Sequence, residues 1–328
     1  MRVSVVVCTH TTDRYPDLRE AVESVLSGTY EDREVIVVSD GSEAVYERAR
    51  ADYGERDDVR VHLQEPNQGL LAARNAGAAV AEGDVVAFVD DDAIADERWL
   101  AELVAAYDAD GEGESAGEGE SAGAGRGRST RERVLAAGGK MVPEWVAGRP
   151  AFLPAEFYWL VGVTHRGFAD GPGVVRNTFG SNISFRREVF DELGGFDTDI
   201  GGRKGDKHLQ GGETELCARL RAEYGAGVYY TPDAVVAHKI FDYRTDPRWL
   251  LRRAFWQGYS KRGMEVFVPE STGEEGEFLG DLLTRFVPSR VRELVAEPSA
   301  EKAAQLLALF ALTGAVGFGY LYGYAKWH

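Results

Sequence analysis

Hydrophobic and polar positions in the first 92 residues switch repeatedly between two periods. Val3-Ser-Val-Val-Val-Cys8 is a short β-branched run of the kind buried on both faces of a sheet. From Pro16 to Leu26 the apolar residues Leu18, Val22, Val25 and Leu26 return at helical spacing on one face. Glu34–Ser39 reads as a second strand and ends in Asp40-Gly41-Ser42. A helix, a strand over Val59–Leu63 and a longer helix from Gly69 to about Ala81 follow. Val85–Val89 is the fourth strand and runs into Asp90-Asp91-Asp92. Strand–helix alternation with short connections predicts an α/β protein with right-handed crossovers, a mostly parallel, doubly wound sheet with helices on both faces. Such sheets bind ligands beyond the carboxyl ends of their strands. Here those ends carry Thr9, Asp40 and Asp90–Asp92, so hydroxyl and acidic groups gather on one rim.

Over residues 108–129 the pattern collapses to Gly, Glu, Ser and Ala, and Glu112–Gly117 (EGESAG) is repeated letter for letter at Glu118–Gly123. That composition cannot bury enough apolar area to offset its ordering entropy, which predicts a solvated loop interrupting one domain. Lys140 to Phe185 is aromatic and irregular, with Gly180–Phe185 strand-like at its end. A short helix over Arg186–Leu193 closes at Gly194-Gly195, Glu213–Glu223 is helical, and Gly227–Tyr230 and Ala234–His238 are strand-like. These elements and the segment that follows make residues 1–262 one catalytic domain, with residues 263–328 a separate helical, membrane-associated region.

Composition narrows the partners. Hydrophobic residues make up 44% of the 328, which excludes wholesale disorder. A net charge of −17 argues against general nucleic-acid binding. Only 7 of the 37 basic residues are lysines, against 54 acids, the balance of a protein kept soluble in concentrated salt. Cys8 and Cys217 sit in apolar or helical contexts and read as small buried side chains rather than a disulfide. No apolar leader precedes the strand at Val3, so a cytoplasmic catalytic domain is expected.

Adjacent carboxylates at Asp90–Asp92 repel one another unless a cation or strong hydrogen bonds neutralise them. Hard oxygen ligands there suit Mg²⁺ or Mn²⁺, which can bridge a substrate diphosphate. A merely solvated acidic turn is the plainer alternative, weakened by Asp40 on the same rim. Arg74 falls on the first turns of the helix after Gly69, where it can pair with phosphate oxygens or make an ordinary salt bridge.

Taken together, several motifs resemble family 2 glycosyltransferases of the GT-A fold. They are the Val-Val-Val-Cys-Thr opening, Asp40-Gly41-Ser42, Asn67-Gln68-Gly69 with Ala73-Arg74-Asn75-Ala76-Gly77, and Phe88-Val89-Asp90-Asp91-Asp92. Gly180-Ser181-Asn182, Arg186-Arg187, Gly194-Gly195-Phe196-Asp197 and Glu213–Arg219 extend the match toward residue 262. Each motif is weak alone; their order and spacing carry the likeness. The resemblance implies a nucleotide-sugar donor, a UDP-sugar by preference, and inversion at the anomeric carbon. It assigns Thr9, Asp40, Arg74, Asp90 and Asp91 to the donor, with Asp40 at the base and Asp90 near the ribose. Asp92 and His238 become the metal ligands. Glu213 takes the place of the catalytic base, although Gly212-Glu213-Thr214-Glu215 departs from the family's usual Glu-Asp pair and leaves Glu215 as the competitor. Asn182, Trp256, Gln257, Lys261 and Arg262 fall on the acceptor and diphosphate side.

Between Arg244 and Arg262 six basic residues and four aromatics face one acid, Asp246, a local reversal of charge. Leu306–Ala325 is a run of 20 uncharged residues, about 30 Å as a helix and so long enough to span a bilayer core. A transmembrane helix, an interfacial or re-entrant hairpin, and a buried core or oligomer helix all fit it. Gly319 and Gly323 allow close helix packing. Phe278, Leu279, Leu282, Leu283, Phe286 and Val287, with Arg285, Arg290 and Arg292 nearby, suit either a membrane surface or packing on the catalytic domain.

These features together resemble haloarchaeal N-glycosylation glycosyltransferases. They imply a dolichyl-phosphate-linked acceptor at the cytoplasmic membrane face and, by likeness to the glucuronosyl members, a hexuronic acid as the transferred sugar. A base candidate favours a sugar hydroxyl as acceptor, since a phosphate needs no proton removed. A dolichyl-phosphate sugar synthase and a non-catalytic nucleotide-sugar-binding subunit are the rivals. A nucleotidyltransferase would want an early basic glycine-rich loop, which His10–Arg14 does not supply.

Overall fold

The β-branched run at the start of the chain forms β1 (Val3–Thr9), in which every residue is buried. A computed structural model describes residues 1–108, 133–200, 202–204, 207–268 and 274–327. The EGESAG repeats lie outside them. After β1 come α1 (Tyr15–Leu26), β2 (Arg33–Asp40), α2 (Glu43–Tyr53), β3 (Val59–Gln64), α3 (Leu70–Ala79) and β4 (Val85–Asp90). The next elements are β5 (Ala93–Ala95), α4 (Trp99–Asp108), β6 (Ala136–Trp145), β7 (Gly173–Val175), β8 (Ile183–Arg186) and α5 (Arg187–Leu193). A small ribbon of β9 (Gly202–Lys204) and β10 (Lys207–Leu209) precedes α6 (Gly212–Tyr224), β11 (Val228–Ile240) and α7 (Pro247–Phe267). The chain closes with α8 (Glu274–Asp281), a π-helical turn over Leu282–Phe286, α9 (Val287–Ala296) and α10 (Ala300–Tyr324).

Among the described residues the main sheet has nine strands in the order β3-β2-β1-β4-β8-β6-β11-β5, with β7 also on β11. The first four are parallel, as the alternation predicts. β8 runs antiparallel between β4 and β6, and β11 runs parallel to β6. Strand order reverses around β1 and β4, where Cys8 pairs with Asp90, and a crevice opens at such a switch point. Side chains alternate across the sheet. Val5, Val7, Val35 and Val37 pack toward α1, α2 and α4 on one face. Val6, Cys8, Ile36 and Val38 meet Leu71, Phe185 and Leu216 on the other. Cys8 and Cys217 are free and buried, so neither forms a disulfide.

Two departures from the sequence pattern matter for the site. Gly227–Tyr230 and Ala234–His238 belong to one strand, β11, whose register shifts between Thr231 and Val235. That bulge absorbs Pro232, which could not continue the ladder. In the segment that reads as irregular, Ala136–Trp145 is strand β6, paired along its length with β11.

Asn182, expected on the acceptor side, is instead a structural hub with no exposed surface. Its Oδ1 accepts from Trp99 Nε1 at 2.9 Å and from the Gly139 amide at 3.2 Å. Its Nδ2 donates to the carbonyls of Lys140 and Ala234 at 3.1 and 2.9 Å. Both acceptor lone pairs and both donors are spent tying α4, β6, β8 and β11 together, so none is left for a ligand.

The C-terminal helices dock on the sheet domain. Asp246 caps α7 by accepting from the amides of Arg248 and Trp249, with Pro247 in the first turn. α10 lies against α7 through small residues: a Cβ on Gly319 would overlap the Phe255 carbonyl, and one on Gly258 the Val316 carbonyl. The Gly319 and Gly323 spacing thus serves close packing, as expected. Arg290 is not membrane-facing: it is buried and pairs with fully buried Glu156, Nη2 to Oε2 at 2.7 Å. Of the apolar stripe before it, Leu282 and Phe286 are buried in the main core, whereas Leu279 and Leu283 are exposed. Among the described residues α10 is the one helix long and apolar enough to cross a membrane. Leu307, Phe310, Phe318 and Leu321 remain exposed, so it is not a buried core helix.

Replacing Asn182 with Ala strands two donors and two carbonyls at once. The expected cost is about 2–4 kcal/mol of stability, read as a lower urea midpoint at unchanged slope.

Candidate active site

A cleft of 1770 Å³ runs from the carboxyl ends of β1 and β4, past the start of α6, to the inner faces of α7 and α10. Its acidic end is built by the turn after β4. Asp90 takes Arg74 Nη2 at 2.7 Å, while Arg74 Nη1 reaches Glu213 Oε1 at 3.0 Å. Arg74 is only 2% exposed. Burial alone would discharge it, but the charges of Asp90 and Glu213 outweigh burial and raise its pKa above the ordinary value. Arg74 is therefore not a free phosphate-binding cation, as expected from its helix position, but a bridge that fixes two carboxylates across the cleft. Gly180 makes room for it: a Cβ there would overlap Glu213 Oε1 and Arg74 Nη1.

The two candidates for the base, Glu213 and Glu215, point in different directions. Both sit in the first turn of α6. Glu213 lines the cleft. Glu215 is buried and bound by Arg219, whose guanidinium also donates to the carbonyls of Leu193 and Gly195. Glu215 therefore fastens α6 to the end of α5. Asn75 does a similar job beside Arg74, exchanging two hydrogen bonds of 2.8 Å with the Phe196 backbone.

Asp92 is held by three basic side chains. Its Oδ1 lies 3.3 Å from His238 Nε2, and its Oδ2 takes Arg14 Nη1 at 2.7 Å and Arg244 Nη2 at 3.3 Å. Burial works to raise its pKa, but His238, Arg244 and Arg14 outweigh burial and hold the carboxyl far below the usual range. Asp91 has weaker help. Burial pushes it up to about 7 against the pull of the Thr9 hydroxyl and Arg14. Thr9 is itself buried.

Asp40 is also reassigned. Its oxygens accept from the amides of Gln68 and Gly69, both at 2.9 Å, and from Gln64 Nε2 at 3.1 Å. With 4% exposure and both oxygens engaged, it shapes the cleft-lining loop Asn67–Gly69 rather than facing the cleft itself.

On α7 the residues Trp249, Arg253, Gln257 and Lys261 recur every four positions and line the cleft. Gln257 Nε2 donates to Gln210 at 2.6 Å, and Lys261 lies over the Trp159 ring. Trp256 and Arg262, predicted on the same side, fall on other faces of the helix. Trp256 packs edge-on with Tyr259 at 5.3 Å, and Arg262 pairs with Glu265 and stacks over Tyr324 of α10. Arg253 and Arg244 were visible in the basic run, but composition could not say which cations turn inward.

No group of three or more Asp, Glu, His or Cys forms a metal cluster among the described residues. Asp92 and His238 nonetheless suit a divalent ion that takes its remaining ligands from a diphosphate and water. Gly162 lies against the His238 ring, and its Nδ1 is buried without a hydrogen-bond partner among the described residues.

The family model Glycosyl transferase family 2 matches residues 4–194. The chain belongs to this family. It is 45% identical over 323 residues to a glucosyl-dolichyl phosphate glucuronosyltransferase of Haloferax volcanii, covering 98% of this chain and 96% of that protein. A pre-mycofactocin glycosyltransferase of Mycobacterium tuberculosis is 28% identical over 244 residues, covering 73% and 43% of the two chains. Among solved structures, a mannosyltransferase of Pyrobaculum calidifontis in complex with GDP-Man and Mn²⁺ aligns over 99% of this chain and 86% of that one. The TM-score is 0.56 at 20% identity, which establishes the shared fold. The expected GT-A architecture and family therefore hold for this glycosyltransferase.

Replacing Gly180 with Ala should push Arg74 and Glu213 apart while leaving the core intact. We expect kcat to fall about 100-fold, with the thermal midpoint lowered by several degrees as the pair is weakened.

Proposed function

We propose that this glycosyltransferase moves a hexuronic acid from a UDP-sugar to a hydroxyl of a glucose linked to dolichyl phosphate, with inversion, at the cytoplasmic face of the membrane. The observation that carries the reaction type is the cleft-facing Glu213 held by Arg74, with Glu215 turned away. A fixed carboxylate of that kind takes the proton of the acceptor hydroxyl as its oxygen attacks the anomeric carbon. The bond from that carbon to the diphosphate oxygen breaks on the opposite face, and the nucleoside diphosphate leaves. Asp92 and His238 would hold a Mg²⁺ or Mn²⁺ ion, which would supply charge stabilisation for the leaving diphosphate. Arg14 and Arg244, now on Asp92, would then be free to turn toward the donor.

The choice of sugar and acceptor is supported by the near full-length relative from Haloferax volcanii, whose name carries both. Membrane association is supported by exposed Leu279, Leu283, Leu307, Phe310, Phe318 and Leu321, with exposed Arg285 beside Leu283 to suit anionic headgroups. A dolichyl-phosphate sugar synthase is the less favoured reading, because an anionic phosphate acceptor gives Glu213 no proton to remove.

The test is turnover of UDP-glucuronic acid with glucosyl dolichyl phosphate and Mn²⁺, read by product mass. Glu213→Gln should lower kcat by about 10²–10⁴-fold, whereas Glu215→Gln, once shown to fold, stays within a few-fold of wild type. Robust turnover by Glu213→Gln would contradict the assignment, and full activity in EDTA would remove the ion from it.

A further inference from the structure

Among the cations of the cleft, Arg253 stands apart. Arg74, Arg14 and Arg244 each hold a carboxylate by direct contact. Arg253 lines the same cleft, yet its Nε is buried without a hydrogen-bond partner among the described residues. Burial and the like charge of Arg244 push its pKa down to about 10, while the charge of Glu213 works the other way through space. It therefore stays a protonated guanidinium at neutral pH, poorly solvated and short of an anion. A half-buried guanidinium whose Nε is cut off from water and unpartnered is suited to bidentate pairing with phosphate oxygens.

Its position on α7 gives the anion an address. Arg253 shares the cleft with Glu213 and Arg244, close enough to feel both charges, and Trp249 and Gln257 are its neighbours one turn away along the cleft-lining face. α10 lies alongside, with Gly258 against the Val316 carbonyl, so Thr313, Val316 and Gly317 continue the wall that α7 begins. Phe278 and Phe286 add apolar surface to the same cleft. Acid, cation and apolar wall thus share one channel. A sugar joined through phosphate to a long hydrocarbon carries a hydroxyl, an anion and an apolar chain in the same order.

We infer that Arg253 holds the phosphate of the lipid-linked acceptor, between the base Glu213 and the apolar wall that receives the start of the hydrocarbon chain. This rests on the reading that the acceptor is a lipid-phosphate-linked sugar. The interaction sets which acceptors are accepted, because a glucoside without phosphate leaves the buried Nε of Arg253 unanswered.

The experiment uses the full chain in detergent, with donor and Mn²⁺, and two acceptors that differ in one group: farnesyl phosphoglucose and farnesyl glucoside. Wild type should prefer the phosphorylated acceptor at least tenfold in kcat/KM. In Arg253→Gln that preference should fall at least tenfold, through acceptor KM, and Arg253→Lys should keep part of it. UDP affinity measured by calorimetry with Mn²⁺ should change less than twofold. An Arg253→Gln protein that keeps the wild-type preference overturns the inference. So does a tenfold loss of UDP affinity with the preference retained, which would give Arg253 to the donor diphosphate. A wild type with no preference between the two acceptors would overturn the lipid-phosphate reading itself, and the role of Arg253 with it. Circular dichroism melts of both variants separate these results from misfolding.

Discussion

Gathering Asp90, Asp91, Asp92 and Glu213 around one cleft is affordable only if their charge is answered locally. Arg74 is the piece that makes the arrangement possible. It lies almost wholly buried between Asp90 and Glu213, so the turn after β4 and the first turn of α6 are fixed relative to one another by one side chain. These elements are far apart in sequence and meet only through the sheet, and their carboxylates would repel without the bridge. On the other side of the rim, Arg14, Arg244 and His238 do the same for Asp92. Charge balance in the free protein thus comes from basic side chains held directly against these carboxylates.

The same logic explains the two-sided character of α7. One face presents Arg253, Gln257 and Lys261 to the cleft, and another uses Gly258 to receive α10. The cationic side of the active site and the apolar C-terminal helix are therefore parts of one rigid pair. The buried pair of Arg290 and Glu156, reinforced by Gln305 of α10, locks α9 and α10 to the segment beneath them. Chemistry at the sheet edge and the exposed apolar surface of α10 are thereby held in fixed relation.

Much of this was legible in the sequence, for physical reasons. Strands β1, β2 and β4 are buried on both faces, so their runs of Val and Ile announce them, edge strand β3 shows only alternating apolar residues, and the short connections determine the topology. The acidic strand ends follow from that topology. Contacts between distant segments were not legible. Asn182 and Asp40 sit in motifs that point to a ligand, but their hydrogen-bonding capacity is spent on backbone groups and on the side chains of Trp99 and Gln64. Trp256 and Arg262 lie in the right segment and on the wrong faces of it. Arg74 could be placed near the rim from helix phase alone, whereas its partner, Glu213, is 139 residues away. Pro232 divides β11 in the pattern, and only the bulge rejoins it.

A double-mutant cycle of unfolding free energy between Arg74 and Glu213 tests the central claim most directly. Arg74→Met should destabilise strongly, and adding Glu213→Gln should recover part of the loss. The coupling should be about 1–3 kcal/mol in the sense that the two charges need each other. Strictly additive losses would mean that Arg74 does not hold Glu213 in place, and the account of the site built on that bridge would fail.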